Sequence, residues 1–581
     1  MPSLRLAWLS VAAVLLGASA LPADPPPMTT SVDVRLVTIE VHAADASGHA
    51  VGNLTRDDFT LLEDGKPTEI GTFEAPRTAN AGRPASAAPS APGESSPEEG
   101  TPLHLAIFVD NTHLSPASRS RALAAIGKFL TERVPPGTEV SLATLDAALR
   151  VRVPFTTKIS AVVDALTEIR TSMASLVTMA IDRRQTLAAI LQRQQLSLET
   201  PFDTPCPSDL ALFARQQSDA EQASAVASLE ALGVFVNSLV SMPGRKVLLH
   251  VSDGVPLIAG MEGWNLANRL CDGSGAREGI QFATDVVGQV LGDHYDPAAA
   301  ASEMQTYSTR PMVDAAVRAA VAHGVEIYTL QARGMARDTD GIEFSGRIND
   351  AMGESSEAAN LTDTLTALAH DTGGMALIER NDLGGALDDL ARDVERVYVL
   401  GFYPTRSGDD RVHRVEVRSK RSGVVLRYPR TYRDTAPDTA LSERVLAALL
   451  QRDNHEALGV EIQALPAAPK EAAPGVSARD RQTVVQINVP LSRITPLEQG
   501  GGQQRQLSMF VGLRREDGAI TSVRRKTVTL STPSGTTLPP FYRYEIRVDL
   551  PAGAHTVAVA VRDDIAGTID LRSIAIKVPK K

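Results

Sequence analysis

The chain has no surplus of positive charge. Its 581 residues carry 58 Lys and Arg against 69 Asp and Glu, a formal charge of -11. A mildly acidic surface offers no counterion-release drive toward DNA or RNA, which excludes nucleic acid as the partner. Cysteine is nearly absent: Cys206 and Cys271 are the only two. In an oxidising compartment they permit one disulfide across a long loop; the other reading is two unpaired thiols. Beyond the first twenty residues no stretch approaches the roughly 20 apolar residues that cross a bilayer. Enzyme signatures are missing as well. There is no His-Glu-x-x-His helix, no phosphate-binding Gly-rich loop ending in Lys, and no Gly-x-Ser-x-Gly elbow. Asp272-Gly273-Ser274-Gly275 lacks the strand and spacing of a nucleophile turn. The chain is therefore read as not an enzyme, and solenoid repeats are absent too.

What is present begins at the N-terminus. Arg5 precedes an apolar run over 7–16, and Ala18-Ser19-Ala20 follows as a small-x-small cleavage pattern. Residues 1–20 thus read as a signal peptide, and the mature protein is expected to be exported, periplasmic or secreted, without a stable membrane span. The other reading of this run is a buried helix or a retained anchor. A chain of this length predicts two to four domains. Its 43% hydrophobic and 22% charged residues are those of a globular protein.

Alternating apolar positions predict strands over 32–42, 59–63 and 69–73, with a hairpin turn at 63–66, so 30–76 reads as a small β module. The Ala/Pro/Ser/Gly-rich stretch 77–101 reads as a flexible linker. From 102 to 404, apolar strand-like runs (103–109, 140–145, 246–251, 325–331, 375–378, 398–403) alternate with helical spacings. The helices fall at 118–134, 159–169, 178–196, 221–240, 311–323, 363–371 and 383–397, with insertions at 197–217 and 264–306. This alternation predicts a doubly wound α/β sheet. A β extension over 405–434, a short helix near 442–450 and a β region over 455–581 follow. The strands of that last region suit an immunoglobulin-like β-sandwich. Strands from Glu416 to Tyr428 are candidates to complete the sandwich begun at Val32, since neither piece alone makes a full one.

In an open α/β sheet the ligand sits at the carboxyl ends of the strands. Asp110 and Asp253 both follow such strands, and two carboxylates with hydroxyl neighbours suit a hard divalent cation. Each also has a structural reading: Asp110 as a helix cap, Asp253-Gly254 as a turn. His113 reads as an exposed loop residue and Gly373-Gly374 as a turn.

Asp110-Asn111-Thr112-His113-Leu114-Ser115 resembles the first loop of von Willebrand factor A domains, whose metal-ion-dependent adhesion site reads Asp-x-Ser-x-Ser. Ser252-Asp253-Gly254 resembles that family's later Asp-Gly loop. Asn53-Leu54-Thr55-Arg56-Asp57-Asp58-Phe59, Leu368 to Gly374 and Tyr398 to Pro404 extend the resemblance to the VWFA-related family known from acidobacteria, over about residues 30–433. The resemblance implies a metal set of Asp110, Thr112, Ser115, Thr178 and Asp253, holding Mg²⁺, or Mn²⁺ or Ca²⁺. Thr186 is the second candidate for the intermediate Thr. Leu114 stands where the family has its second Ser, and Ser115 falls one position late. The implied function is a protein-binding module with an unidentified protein partner. A metal-free envelope scaffold is the alternative, and a hydrolase the remote one.

Overall fold

The computed structural model describes residues 36–76, 103–171, 209–240, 242, 244–272, 297–334, 351–404, 408–451, 454–466, 481–499, 502–533, 536 and 538–579. All lie in Leu36–Lys581, the second of two compact units. Thr178, Thr186, Cys206 and the helix expected over 178–196 fall outside the described residues. Among the described residues no helix is long and apolar enough to cross a membrane.

The N-terminal strands are β1 (Val37–Ala44), β2 (Phe59–Glu63), β3 (Lys66–Thr68) and β4 (Thr72–Glu74). β2 and β3 turn on Asp64-Gly65, whose φ angles of 48° and 79° are the paired left-handed residues of a two-residue hairpin. The central region carries β5 (Leu103–Asp110), α1 (Pro116–Glu132), β6 (Glu139–Leu145), β7 (Leu149–Thr156), α2 (Ile159–Thr171) and α3 (Asp209–Asn237). It continues through β8 (Arg245–Ser252), α4 (Met261–Asp272), α5 (Pro297–Met304), α6 (Arg310–Ala322), β9 (Val325–Gln331), α7 (Ala351–Asp371), β10 (Ala376–Leu377) and α8 (Leu383–Glu395).

These strands form one sheet in the order β10-β9-β8-β5-β6-β7, parallel except for β7 at the edge. Period-2 alternation sends Leu105, Ile107 and Val109 to one face, where α1, α2 and α8 pack. Ala106 and Phe108 go to the other, under α3, α6 and α7. Helices on both faces of a largely parallel sheet are the doubly wound arrangement expected from sequence. β7 was not anticipated: its half-buried Leu149, Val151, Val153 and Phe155 alternate with polar residues along a single strand. The insertion placed at 197–217 also ends earlier than expected. α3 starts at Asp209 because Leu210 and Ala214 pack with Trp264 in a satellite core shared with α4 and α5. Trp264 Nε1 donates to Ser218 Oγ at 2.9 Å.

The largest departure concerns β11 (Val397–Phe402). Sequence placed it within the α/β domain ending at 404; instead it pairs antiparallel with β1, Val37↔Phe402 through His42↔Val397. β12 (Val412–Ser419), β13 (Val425–Arg427) and β14 (Thr431–Arg433) complete the module. Two sheets, β13-β1-β11-β4 and β14-β12-β2-β3, share a core that includes Ile39, Phe59, Tyr398, Phe402 and Val417. Strands before and after the α/β region thus build one sandwich. Neither set alone has a second sheet to bury its apolar face against.

α9 (Pro437–Gln451) leads to β15 (Glu461–Pro466), β16 (Arg481–Pro490), β17 (Leu497–Gln499), β18 (Gly502–Arg514), β19 (Arg524–Pro533), β20 (Phe541–Leu550), β21 (Gly553–Asp563) and β22 (Ile569–Val578). β15-β16-β20 form one antiparallel sheet; β18, β21 and β22 form the other, with β19 and short β17 paired to β18. Both line one core. α9 covers the outer face, burying Leu441, Val445, Ala448 and Leu449 against Phe510, Ala558 and Leu571.

A buried ionic cluster joins the N-terminal sandwich to the amino ends of the central strands. On β1, Ile39 and Val41 face the sandwich core, so alternation turns Glu40 and His42 toward β8 and β9. Arg245 Nε donates to Glu40 Oε2 at 2.8 Å. His42 Nε2 lies 3.0 Å from Glu326 Oε1, and its Nδ1 lies 3.3 Å from Asp393 Oδ2. Asp393 also binds Arg427 and accepts from Tyr328 Oη at 2.6 Å. Burial alone would lower the His42 pKa, but Glu326 and Asp393 raise it to about 9. Burial and the neighbouring Glu326 charge push Glu40 up to about 7.

A raised His pKa contributes stability that is fully present below the unfolded value and lost as pH rises through the folded one. His42 is therefore expected to stabilise the fold by about 3 kcal/mol below pH ~6.5, a contribution lost between pH ~6.5 and ~9. Thermal melts across this window should show the wild-type Tm falling toward alkaline pH. A His42→Gln variant should start lower and vary less; parallel curves would refute the assignment.

Candidate functional site

Asp110 ends β5 and Asp253 follows β8, and these strands are neighbours from Leu103↔Arg245 to Val109↔Val251. The chain leaves β5 toward β6 and leaves β8 toward β9, in opposite directions across the sheet. The two carboxylates therefore meet at the switch point, where doubly wound sheets open their crevice.

Local hydrogen bonding sets the first loop. Asn111–His113 is a single 3₁₀ turn capped by Asp110, whose Oδ1 accepts from Thr112 N at 3.1 Å. Ser115 then caps α1, its Oγ accepting from Ser118 N at 3.2 Å. Pro116 follows at the first helical position, where a missing N–H costs nothing. Asn111 Nδ2 donates to Asp146 Oδ1 at 2.7 Å, which fixes the turn against the end of β6.

Asp110 is fully buried, and protein donors engage both its oxygens. Oδ1 also accepts from the Thr112 hydroxyl. Oδ2 lies 2.8 Å from His113 Nδ1 and accepts from Ser228 Oγ at 2.6 Å. Burial works to raise the Asp110 pKa, but the His113 charge and hydrogen bond hold it well below the usual carboxylate range. Burial likewise works to lower His113, and Asp110 overrides it, so the His113 pKa is raised. Each group thus favours the charged form of the other. His250, on β8, is pushed down to about 4 by burial and stands as a neutral ring 5.6 Å from Phe108.

Asp253 ties the two loops together. Its N donates to His113 O at 2.8 Å, and its Oδ2 accepts from Ser115 N at 2.8 Å. Burial pushes its pKa up, against the Ser115 and Ser118 hydrogen bonds. Gly254 has φ of +133°, and a Cβ there would lie 2.7 Å from Leu361 Cβ, so α7 packs directly on this turn. Gly374 is constrained more by a neighbour than by a turn: its Cβ would meet Ile327 O at 1.9 Å.

Of the residues expected to hold a divalent ion, Asp110, Thr112, Ser115 and Asp253 gather at one edge, while Thr178 lies outside the described residues. Mg²⁺, Mn²⁺ or Ca²⁺ would need one or two free carboxylate oxygens and could fill the rest of the shell with water; among the described residues Asp253 Oδ1 is buried without a hydrogen-bond partner. Both Asp110 oxygens already have hydrogen-bond partners, the His113 ring among them. The Ser115 hydroxyl serves a helix cap, and Leu114 is buried in the core beneath α1. Among the described residues no group of three or more His, Cys, Asp or Glu suits a metal. Cys271 is the penultimate residue of α4, and its expected bridge partner Cys206 lies outside the described residues.

Three residues were missed from sequence. His113, read as an exposed loop residue, has a side chain only 12% exposed. Ser224 and Ser228 sit one turn apart on α3, and Ser224 Oγ lies 3.5 Å from His113 Nε2. Serines at i and i+4 on the helix stripe that also buries Ala225, Leu229 and Leu232 were the available signal.

No family model and no curated protein matches the chain. Among solved structures it is similar to an aerotolerance-related membrane protein from Bacteroides fragilis NCTC 9343, at 10% identity over 50% of this chain and 98% of that one, with a TM-score of 0.21. It is also similar to the conserved hypothetical protein BatB from Bacteroides thetaiotaomicron, at 11% identity over 51% and 97%, with a TM-score of 0.21. A third is the vWF domain of the type V pili tip protein Mfa5 from Porphyromonas gingivalis, at 13% identity over 51% and 95%, with a TM-score of 0.20. The doubly wound fold rests on strand order, not on these scores.

Removing one partner of a buried ion pair strands the other charge, at a cost of about 3–5 kcal/mol. Asp110→Ala should lower stability by that amount in urea unfolding. In a His113→Ala background the same change should cost at least about 1 kcal/mol less. Additive effects would show that the pair is not coupled.

Proposed function

We propose that the chain is an exported protein-binding module that presents the carboxyl edge of its α/β domain to a protein partner without a divalent ion. The observation that carries this reading is where the other modules attach. The ionic cluster fixes the N-terminal sandwich to the starts of β8 and β9. α9 binds the same end, with Gln451 Nε2 donating to Ser238 Oγ at 3.0 Å and Glu443 3.8 Å from His323. At the opposite edge, among the described residues, the hydrogen-bond partners of Asp110 and Asp253 all come from the α/β domain itself. Grooves of about 380 Å³ between α1 and α2 and about 400 Å³ on the C-terminal sandwich both lie away from that edge. A broad polar edge suits a macromolecule better than a small enclosed substrate. Residues 1–20 as an export signal, a Cys206–Cys271 bridge and an immunoglobulin-like C-terminal sandwich belong to the same reading.

In this reading His113 supplies the positive charge that a bound ion would bring, and Asp110 has a structural role. Calorimetric titration of the wild type with Mg²⁺, Mn²⁺ and Ca²⁺ is expected to give no saturable heat. His113→Ala is expected to uncover Asp110 and to bind Mn²⁺ weakly. Saturable binding by the wild type would overturn the metal-free part. Partner capture that survives chelator and is lost on Thr112→Arg would support the binding part, while capture unchanged by that variant would sink it.

One observation favours a hydrolase as a second reading. Asp110, His113 and Ser224 stand in the order carboxylate, imidazole, hydroxyl, which is the order of a hydrolytic triad. Two facts weigh against it. Ser224 lies in mid-helix, where the backbone N–H groups are committed and supply no oxyanion donors. The distance of 3.5 Å between Ser224 Oγ and His113 Nε2 exceeds the roughly 2.6–3.2 Å between a nucleophile and its base. A fluorophosphonate probe is expected not to label the protein; labelling lost in Ser224→Ala would promote the hydrolase.

A further inference from the structure

Among the described residues, one long strand of the C-terminal sandwich has a strand partner on one flank only. β20 pairs with β16 along its whole length, Phe541↔Pro490 through Leu550↔Arg481, and stands last in the order β15-β16-β20. Edge strands are ordinarily protected by proline, bulges or charges turned inward. β20 has none of these. No proline interrupts FYRYEIRVDL, the register runs without a shift, and the inward-facing residues Tyr542, Tyr544, Ile546 and Val548 are apolar or aromatic and half-buried against the sandwich core.

The outward face carries Arg543, Glu545, Arg547 and Asp549, so its charges alternate plus, minus, plus, minus. Among the described residues Arg543 and Glu545 bond sideways to uncharged groups of β16, Asn488 Oδ1 and Gln486 Nε2, each at 3.2 Å. An antiparallel neighbour is read in reverse, and this charge order reversed is its own complement. Place a two-fold axis at Ile546: Arg543 then faces Asp549 of the second copy, and Glu545 faces its Arg547. Each pair occurs twice. On the inner face Tyr542 meets Leu550 and Tyr544 meets Val548. Moving the axis to Glu545 or Arg547 sets like charges opposite one another, and moving it to Tyr544 or Val548 halves the number of ion pairs. The charge pattern therefore selects one register as well as one partner.

We propose that β20 is a self-association edge, through which two copies of this chain join their C-terminal sandwiches by antiparallel β20–β20 pairing. The product is a closed, two-fold symmetric dimer in which two three-stranded sheets become one. This inference is independent of the partner-binding reading, since the carboxyl edge of the α/β domain takes no part in it.

Sedimentation equilibrium on the full chain over a concentration series tests it. The wild type should approach twice the monomer mass. Glu545→Arg and Arg547→Glu each set like charges opposite one another at two positions, and each should move the dimer midpoint to at least about tenfold higher concentration. The double swap Glu545→Arg with Arg547→Glu restores complementarity and should return the midpoint to within about threefold of wild type. Both positions are exposed, and thermal melts will show that every variant is folded. A wild type that stays monomeric to its solubility limit overturns the proposal. So do single variants that dimerise like the wild type, or a swap as weak as the singles.

Discussion

Charges taken out of water must find partners within the protein, and the seam between the N-terminal sandwich and the α/β domain is arranged around that constraint. Glu40, Glu326 and Asp393 are set against Arg245, His42 and Arg427, which come from strands and a helix of both modules. No member can leave without stranding another in a low-dielectric interior, at a cost of several kcal/mol. The cluster therefore acts as a registration device: the sandwich can sit only where every charge is answered. An apolar interface of equal area would hold as tightly but would tolerate sliding.

The same constraint recurs at the opposite end of the sheet. Asp110 is fully buried at the point where a doubly wound sheet opens its crevice. An unpaired carboxylate there would demand a cation. The group that faces it is part of the chain itself: the His113 ring lies three residues further on, reached by one 3₁₀ turn. The result is a loop whose geometry is held by internal hydrogen bonds among Asp110, Thr112, His113 and Ser228.

The period-2 and period-3.6 patterns made most of the α/β domain legible, because β5 and β8 are continuous apolar runs that only a sheet covered on both faces can bury. The positions of Asp110 and Asp253 followed directly. What escaped was whatever depended on distant partners. β11 reads as another buried strand, and nothing local says that it pairs with β1 rather than β10. Its pairing follows from which faces remain uncovered once the chain has folded. β7 was missed because an edge strand buries only one face and so carries a weak signal. His113 was misread for a related reason. Its burial is produced by α3, which lies more than a hundred residues away in sequence and brings Ser224 and Ser228 over the turn.

These placements bear on how the molecule is oriented in use. A parallel sheet has two unlike ends: at the amino end the strands begin, and at the carboxyl end the loops fan out. Both β modules attach at the amino end, one by ionic pairs and one through α9. Had either docked at the carboxyl end, the loops after β5 and β8 would be sealed and Asp253 would only brace a module contact. Instead Asp253 braces loop against loop, with Ser115 N and His113 O as its partners. Under the proposed reading, loops braced in this way lose little further entropy when a partner binds.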